Sequence, residues 1–215
     1  AQLSRGLGDV YKRQGYKMLK ILTELKITIS LSFLIAFIFI LFLAKSGQFD
    51  QAAFNMWLFR WFHVISGIMW VGILYYFNFV QIPNMTKIPD EQKPAISKVI
   101  APAALFWFRW GALVTVITGL ILAYLNGYLH QAMTFSEGFW PIGVGMWLGI
   151  IMLINVWGVI WPNQKRALGI IEVDTDTKAK AAKKAMLFSR TNTLLSIPML
   201  VLSLIHISEP TRQLC

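Results

Sequence analysis

The chain has 215 residues, of which 56% are hydrophobic and 14% charged, with a formal net charge of +10. So apolar a balance excludes an ordinary soluble domain. It also excludes nucleic acid as a partner, because the basic residues are divided among segments between apolar runs and form no single stripe.

The two termini are read together. Ser4–Gln14 (SRGLGDVYKRQ) and Leu202–Arg212 (LSLIHISEPTR) can be encoded by opposite strands of one DNA segment without a mismatch. Eleven successive codons do not agree in this way by accident, and the DNA resembles a sequencing-library transposon adapter. Residues 1–14 and 202–215 are therefore expected to be adapter read-through, and fold reasoning rests on 15–201. Met18 is the expected start, and the apolar segment that stops near Val201 is expected to continue in a longer, C-terminally truncated protein. Within 15–201 the net charge is +8, with two histidines and no cysteine. That excludes a disulfide, a thiolate metal site or a CxxCH haem attachment there.

Ile27–Ala44 is the first run long enough to cross a bilayer, which takes roughly 20 residues. It is too long and too late for a cleaved signal peptide, and no small-residue cleavage site follows it. Trp57–Ile82, Ala103–Leu125 and Trp140–Trp161 follow, and Met186–Val201 begins a fifth. Runs this long and apolar are helices, because hydrocarbon leaves backbone polar groups no other partner. The expected fold is all-α, a polytopic transmembrane bundle with about five spans. Asp90–Val99, opened by Pro89-Asp90-Glu91, reads as a short interfacial helix or as a solvated connector. Asp174–Lys184 offers the same choice, and the connector is the simpler reading of both.

Lysine and arginine give the orientation. Lys17, Lys20 and Lys26 precede the first run, Lys87, Lys93 and Lys98 follow the second, and Lys165 to Arg190 holds seven between the fourth and fifth. The alternate loops hold only Lys45 and none. By the positive-inside rule the N-terminus is cytoplasmic, and the loops near Gln48 and His130 face outward.

The second run tolerates Arg60, His63, Asn78 and Gln81 because they share a face. At 100° per residue these four, with Gly67, Trp70 and Leu74, fall within an arc of roughly 80°. Ile65, Gly72 and Phe79 fall opposite. A polar stripe turned to lipid is expensive, so it is expected to face the bundle interior and wall a cavity. Arg109 lies near the cytoplasmic end of the third run beside Phe106, Trp107 and Trp110, and Asn155 lies in the inner half of the fourth. Two readings stay open for each. Arg109 either binds an anion or snorkels to lipid phosphate. Asn78 and Asn155 either touch a ligand or join helices. His63 is either a ligand or a structural hydrogen-bonder.

The order His63-x3-Gly67-x2-Trp70-x-Gly72, then Tyr75-Tyr76-Phe77-Asn78-Phe79-Val80-Gln81, resembles the membrane domain of PuuD-type urate oxidases. So do Ala104-Leu105-Phe106-Trp107-Phe108-Arg109-Trp110-Gly111, Asn155-Val156-Trp157 with Ile160-Trp161-Pro162-Asn163-Gln164-Lys165, and Ser189 to Met199. The likeness runs from about Phe54 to Val201. The first motif by itself is shared with CopD-like and HemJ-like membrane proteins. What the resemblance implies is an oxidoreductase of the bacterial cytoplasmic (inner) membrane. Such an enzyme oxidises urate to 5-hydroxyisourate and passes electrons to a cytochrome c, a C-terminal module of the full-length protein. On this reading Arg109, Trp107, Asn78, Gln81 and Asn155 bind a planar anion such as urate. His63, with Gly67 and Trp70, holds a haem b, with His63 as the iron ligand. The alternative is a haem b electron carrier of the CopD or HemJ type without urate activity. A transporter would more often show inverted repeats and broken helices near the midplane, and neither is apparent.

Overall fold

The computed structural model describes residues 22–47 and 50–205. The adapter reading of 1–14 lies outside them. That of 202–215 overlaps them only at 202–205, which continue the last helix. Gln48, Lys17 and Lys20 also lie outside. Among the described residues there is no strand, and five helices are long and apolar enough to cross a membrane. They are Leu25–Lys45, Gln51–Lys87, Lys93–Leu125, Trp140–Ala167 and Thr175–Ser203, called here the first to fifth spans. The chain divides into two units, Ala1–Phe54 and Asn55–Cys215. The first holds Leu25–Lys45, an uninterrupted apolar helix closed by Lys45 in its last turn.

The second unit is a helix bundle whose centre is apolar. Trp70, Leu74 and Phe77 of the second span meet Leu105, Phe108 and Ala112 of the third. Met152, Val156 and Ile160 of the fourth and Met199 of the fifth complete the core. The helical wheel of the second span holds as far as Leu74. Trp70 and Leu74 are buried while Ile65 and Gly72 are exposed. Arg60 departs from it and is exposed, because the stripe reaches the end of the bundle there. Arg60 acts instead on Tyr128, whose phenol is pushed up by burial and drawn down by that cation. Past Tyr75 the helix is π-wound over Tyr76–Gln81, so an angle counted at 3.6 residues per turn no longer applies.

Helix ends differ from the hydropathy reading in one direction. The segment read as a connector at Asp90–Val99 runs from Lys93 straight into the third span, through a π-helical stretch at Ile96–Ile100. Asp174–Lys184 is likewise the first part of the fifth helix, Thr175–Ile205. Hydropathy marks where lipid ends, whereas the helix ends where its backbone amides find other partners. Hydrogen bonds from the Thr177 side chain and then from its amide, which donates to Asp174 Oδ1 at 2.8 Å and caps the fifth helix, hold the Asp174 carboxyl below its usual range.

Two close approaches set the packing. Gly111 of the third span lies against the backbone of Ser66 and Trp70, where an added Cβ would stand 3.3 Å from the Trp70 amide nitrogen. At Gly143, near the start of the fourth span, an added Cβ would collide with the Ala132 carbonyl oxygen. The fifth span is sewn in by polar side chains. Tyr75 and Ser196 hydroxyls meet at 3.0 Å, Asn155 Nδ2 donates to Asn192 Oδ1 at 3.0 Å, and Asn192 Nδ2 donates to the Met152 carbonyl at 3.0 Å.

Candidate functional site

The eight residues expected to form a site do not form one cluster. His63 with Gly67, Arg109, and Asn78 with Gln81 lie in three separate places, and Trp70, Trp107 and Asn155 join none of them. His63 lies between the second and third spans. Its Nδ1 is 2.8 Å from the Thr115 carbonyl and 3.2 Å from Thr118 Oγ1. A carbonyl only accepts, and Thr118 already donates its proton to the Val114 carbonyl at 2.6 Å. Nδ1 therefore carries the proton, and in the neutral ring Nε2 presents its lone pair. The ring lies on Gly119, where a Cβ would come within 3.0 Å of Cε1 and 3.3 Å of Nδ1. Gly67 faces Thr115, with 3.7 Å to its methyl for an added Cβ, so both glycines serve the approach of these two helices.

The chemistry of this node suits coordination. A ligating histidine ordinarily donates its other ring N–H to a carbonyl, which fixes tautomer and ring orientation. Among the described residues no three of His, Cys, Asp and Glu come together as a metal site. A metal held by His63 would have to bring most of its ligands with it, as a porphyrin iron does. If such a group were bound here, His63 would hold it through Nε2 and the Thr115 carbonyl would orient the ring. Trp70, buried in the core, leaves its Nε1 without a partner.

The second place belongs to Arg109. Its Cζ sits 3.3 Å from the centroid of the Trp161 ring and 5.9 Å from that of Trp157, both on the fourth span. Lys165 Nζ stands 5.7 Å from the same Trp161 ring. Trp157 is met edge-on by Trp110 at 5.5 Å. Arg109 Nε and Nη1 and Trp157 Nε1 are buried with no hydrogen-bond partner. Among the described residues no carboxylate pairs with this charge. The only acidic residue in any of the five spans is Asp176, in the first turn of the last helix, and the salt bridge among the described residues joins Lys93 to Asp90. Arg109 is half-buried, and an aromatic face contributes between about 0.5 and 2 kcal/mol to such a cation, more as water is excluded. Each unpaired buried donor costs about 1–3 kcal/mol.

Trp107 does not join Arg109. It is 56% exposed, because residues two apart on a helix point to different sides. The aromatic faces expected from Trp107 and Trp110 come from Trp161 and Trp157 instead. Trp157 and Trp161 are four apart on one face of an antiparallel helix, a signal present in the sequence but one that needed the pairing of spans to be used.

The third place is a cavity of about 230 Å³ among the second to fifth spans, at the end marked by Lys87, Lys93 and Lys165. Gln81 lines it, and its Oε1 is buried without a donor. Asn78 donates from Nδ2 to the Leu74 carbonyl at 2.9 Å and to Oγ of Ser189, a lining residue, at 2.8 Å. Asn155 reaches neither place, since its amide is spent on Asn192. Sequence reasoning missed Thr115, Thr118 and Gly119, whose spacing matches the depth of His63. It also missed Ser189 and Ser196, which share a helix face with Asn192.

No family model, no curated protein and no solved structure matches the chain.

Proposed function

We propose that the chain is a membrane-embedded redox domain that takes a planar organic anion, of the urate oxidase type that its motifs resemble. The observation that carries the reading is Arg109, a guanidinium whose Cζ lies 3.3 Å from the Trp161 ring centroid and whose Nε and Nη1 have no acceptor. Such a group is matched by an anion lying in the same plane, through charge-assisted hydrogen bonds. The side chain of a helical residue leans toward the helix N-terminus, so Arg109 reaches toward the lysine-rich end, which the charge rule makes cytoplasmic.

Binding of urate to the protein in nanodiscs tests this. Charged hydrogen bonds are worth about 1.5–3 kcal/mol, so Arg109→Leu is expected to weaken urate at least tenfold. Arg109→Lys is expected to fall between, keeping charge but losing the planar stack. Equal affinity in Arg109→Leu and the parent protein would assign Arg109 to lipid phosphate instead.

A second reading rests on the His63–Thr115 bond. His63 would hold a haem b, with Thr115 fixing the ring and Gly119 giving it room. When bound, haem supplies one-electron transfer, which suits passage to a cytochrome c. The same node serves a haem carrier without urate activity.

The orientation is checked separately. In a protein whose single Cys215 is replaced by serine, a cysteine at His130 should be labelled from outside and one at Lys180 should not. The reverse pattern would reject the cytoplasmic N-terminus.

A further inference from the structure

We infer that the fifth helix binds an anionic phospholipid, its headgroup held by Lys180, Lys183, Lys184 and Arg190 and an acyl chain laid along the helix beyond them. This ligand is distinct from the anion of Arg109. The helix Thr175–Ile205 runs without a break from charged turns into the apolar run that begins at Met186. One side of it is packed. Ala181, Ala185, Ser189, Asn192 and Ser196 are all buried, and at 100° per residue they share an arc of roughly 80°.

The opposite side is first basic and then apolar. Lys180, Lys183, Lys184 and Arg190 are exposed there, within roughly 120° of one another. Leu187, Leu194 and Ile197, also exposed, continue the same side toward the far end of the helix. Lys180 stands three and four residues from Lys183 and Lys184, and like charges at those spacings oppose a helix. The salt bridge among the described residues joins Lys93 to Asp90, so no carboxylate pairs with these lysines, not even that of Asp176 on the same side.

An anion with an apolar tail answers both halves of this face. Arg190 marks the joint, exposed between Leu187 and Leu194. A helical side chain leans toward the helix N-terminus, which turns this guanidinium toward Lys183. A lipid phosphate at that level meets the lysines from one side and Arg190 from the other. A soluble acidic partner would engage the lysines and leave Arg190, set among apolar side chains, without its counter-ion.

The probes are dioleoyl phosphatidylglycerol and dioleoyl phosphatidylcholine, which share acyl chains and differ in headgroup charge. Each is titrated into the full chain in detergent, and bound lipid is counted by native mass spectrometry. Saturable binding of phosphatidylglycerol is expected, about tenfold or more tighter than phosphatidylcholine. Lys180→Gln, Lys183→Gln and Lys184→Gln together should remove the preference, and the same three positions changed to arginine should keep it. Arg190→Gln alone should weaken phosphatidylglycerol about fivefold. Lys87→Gln with Lys98→Gln, exposed cations of another lysine-rich segment, should leave the preference unchanged. A preference that survives the triple glutamine change, or one lost equally in the Lys87 and Lys98 variant, would overturn the inference. So would equal binding of the two lipids by the parent protein, which would leave the face to a soluble acidic partner. No arm contains urate, so failure here leaves the anion reading of Arg109 standing.

Discussion

Replacing His63 with alanine is expected to abolish the Soret band of protein purified from haem-sufficient cells while leaving its helices intact. The ligating nitrogen would be Nε2, since Nδ1–H is committed to the Thr115 carbonyl. Removing the ring deletes the coordination bond outright. The fold loses only one interhelical hydrogen bond, worth about 0.6 kcal/mol in membrane helices. His63→Gln is the control, because it restores a donor for Thr115 without an imidazole. It should fold as the parent does and still lack the band. Gly119→Val should act at a distance, since its Cβ would press on the ring at 3.0–3.3 Å and turn it off axis. An undiminished Soret band in His63→Ala would end the haem reading.

Gly143→Val is expected to be the most damaging single change to the fold. A Cβ at this position would collide with the Ala132 carbonyl oxygen, and a carbonyl in a short helix cannot rotate away as a side chain can. Overpacking of this kind costs about 1–3 kcal/mol or more. Gly72→Val makes the comparison sharp, because nothing lies within 4 Å of its added Cβ. Thermal unfolding in detergent should show a loss of several degrees for Gly143→Val and little change for Gly72→Val. Equal midpoints would mean that the approach at Gly143 is not a packing constraint.

Much of this architecture was legible in the chain. The five apolar runs place the five spans, since hydrocarbon leaves helices no alternative. The wheel through Trp70 and Leu74 correctly turns one face inward, with Ile65 and Gly72 outward. What stayed hidden has physical causes. The helix at Lys93 and that at Thr175 start beyond their apolar runs, because charged turns continue a backbone ladder as well as apolar ones do. The π turns at Gln81 and Ile160 leave no mark in a hydropathy pattern that assumes one period. Partners across helices were least legible. Arg109 looked paired with Trp107 by nearness in sequence, yet Trp161 covers it from another span. Thr115 serves His63 through its backbone carbonyl, a role that no side-chain motif announces.

Electron flow from a planar organic anion into this domain is the central claim, and its most direct test is anaerobic. Urate is added to the oxidised, haem-loaded protein in nanodiscs and the haem spectrum is followed. Reduction by urate, two haem equivalents for each urate oxidised, is expected in the parent protein, and Arg109→Leu should respond only to dithionite. A haem that dithionite reduces and urate leaves oxidised would contradict the claim.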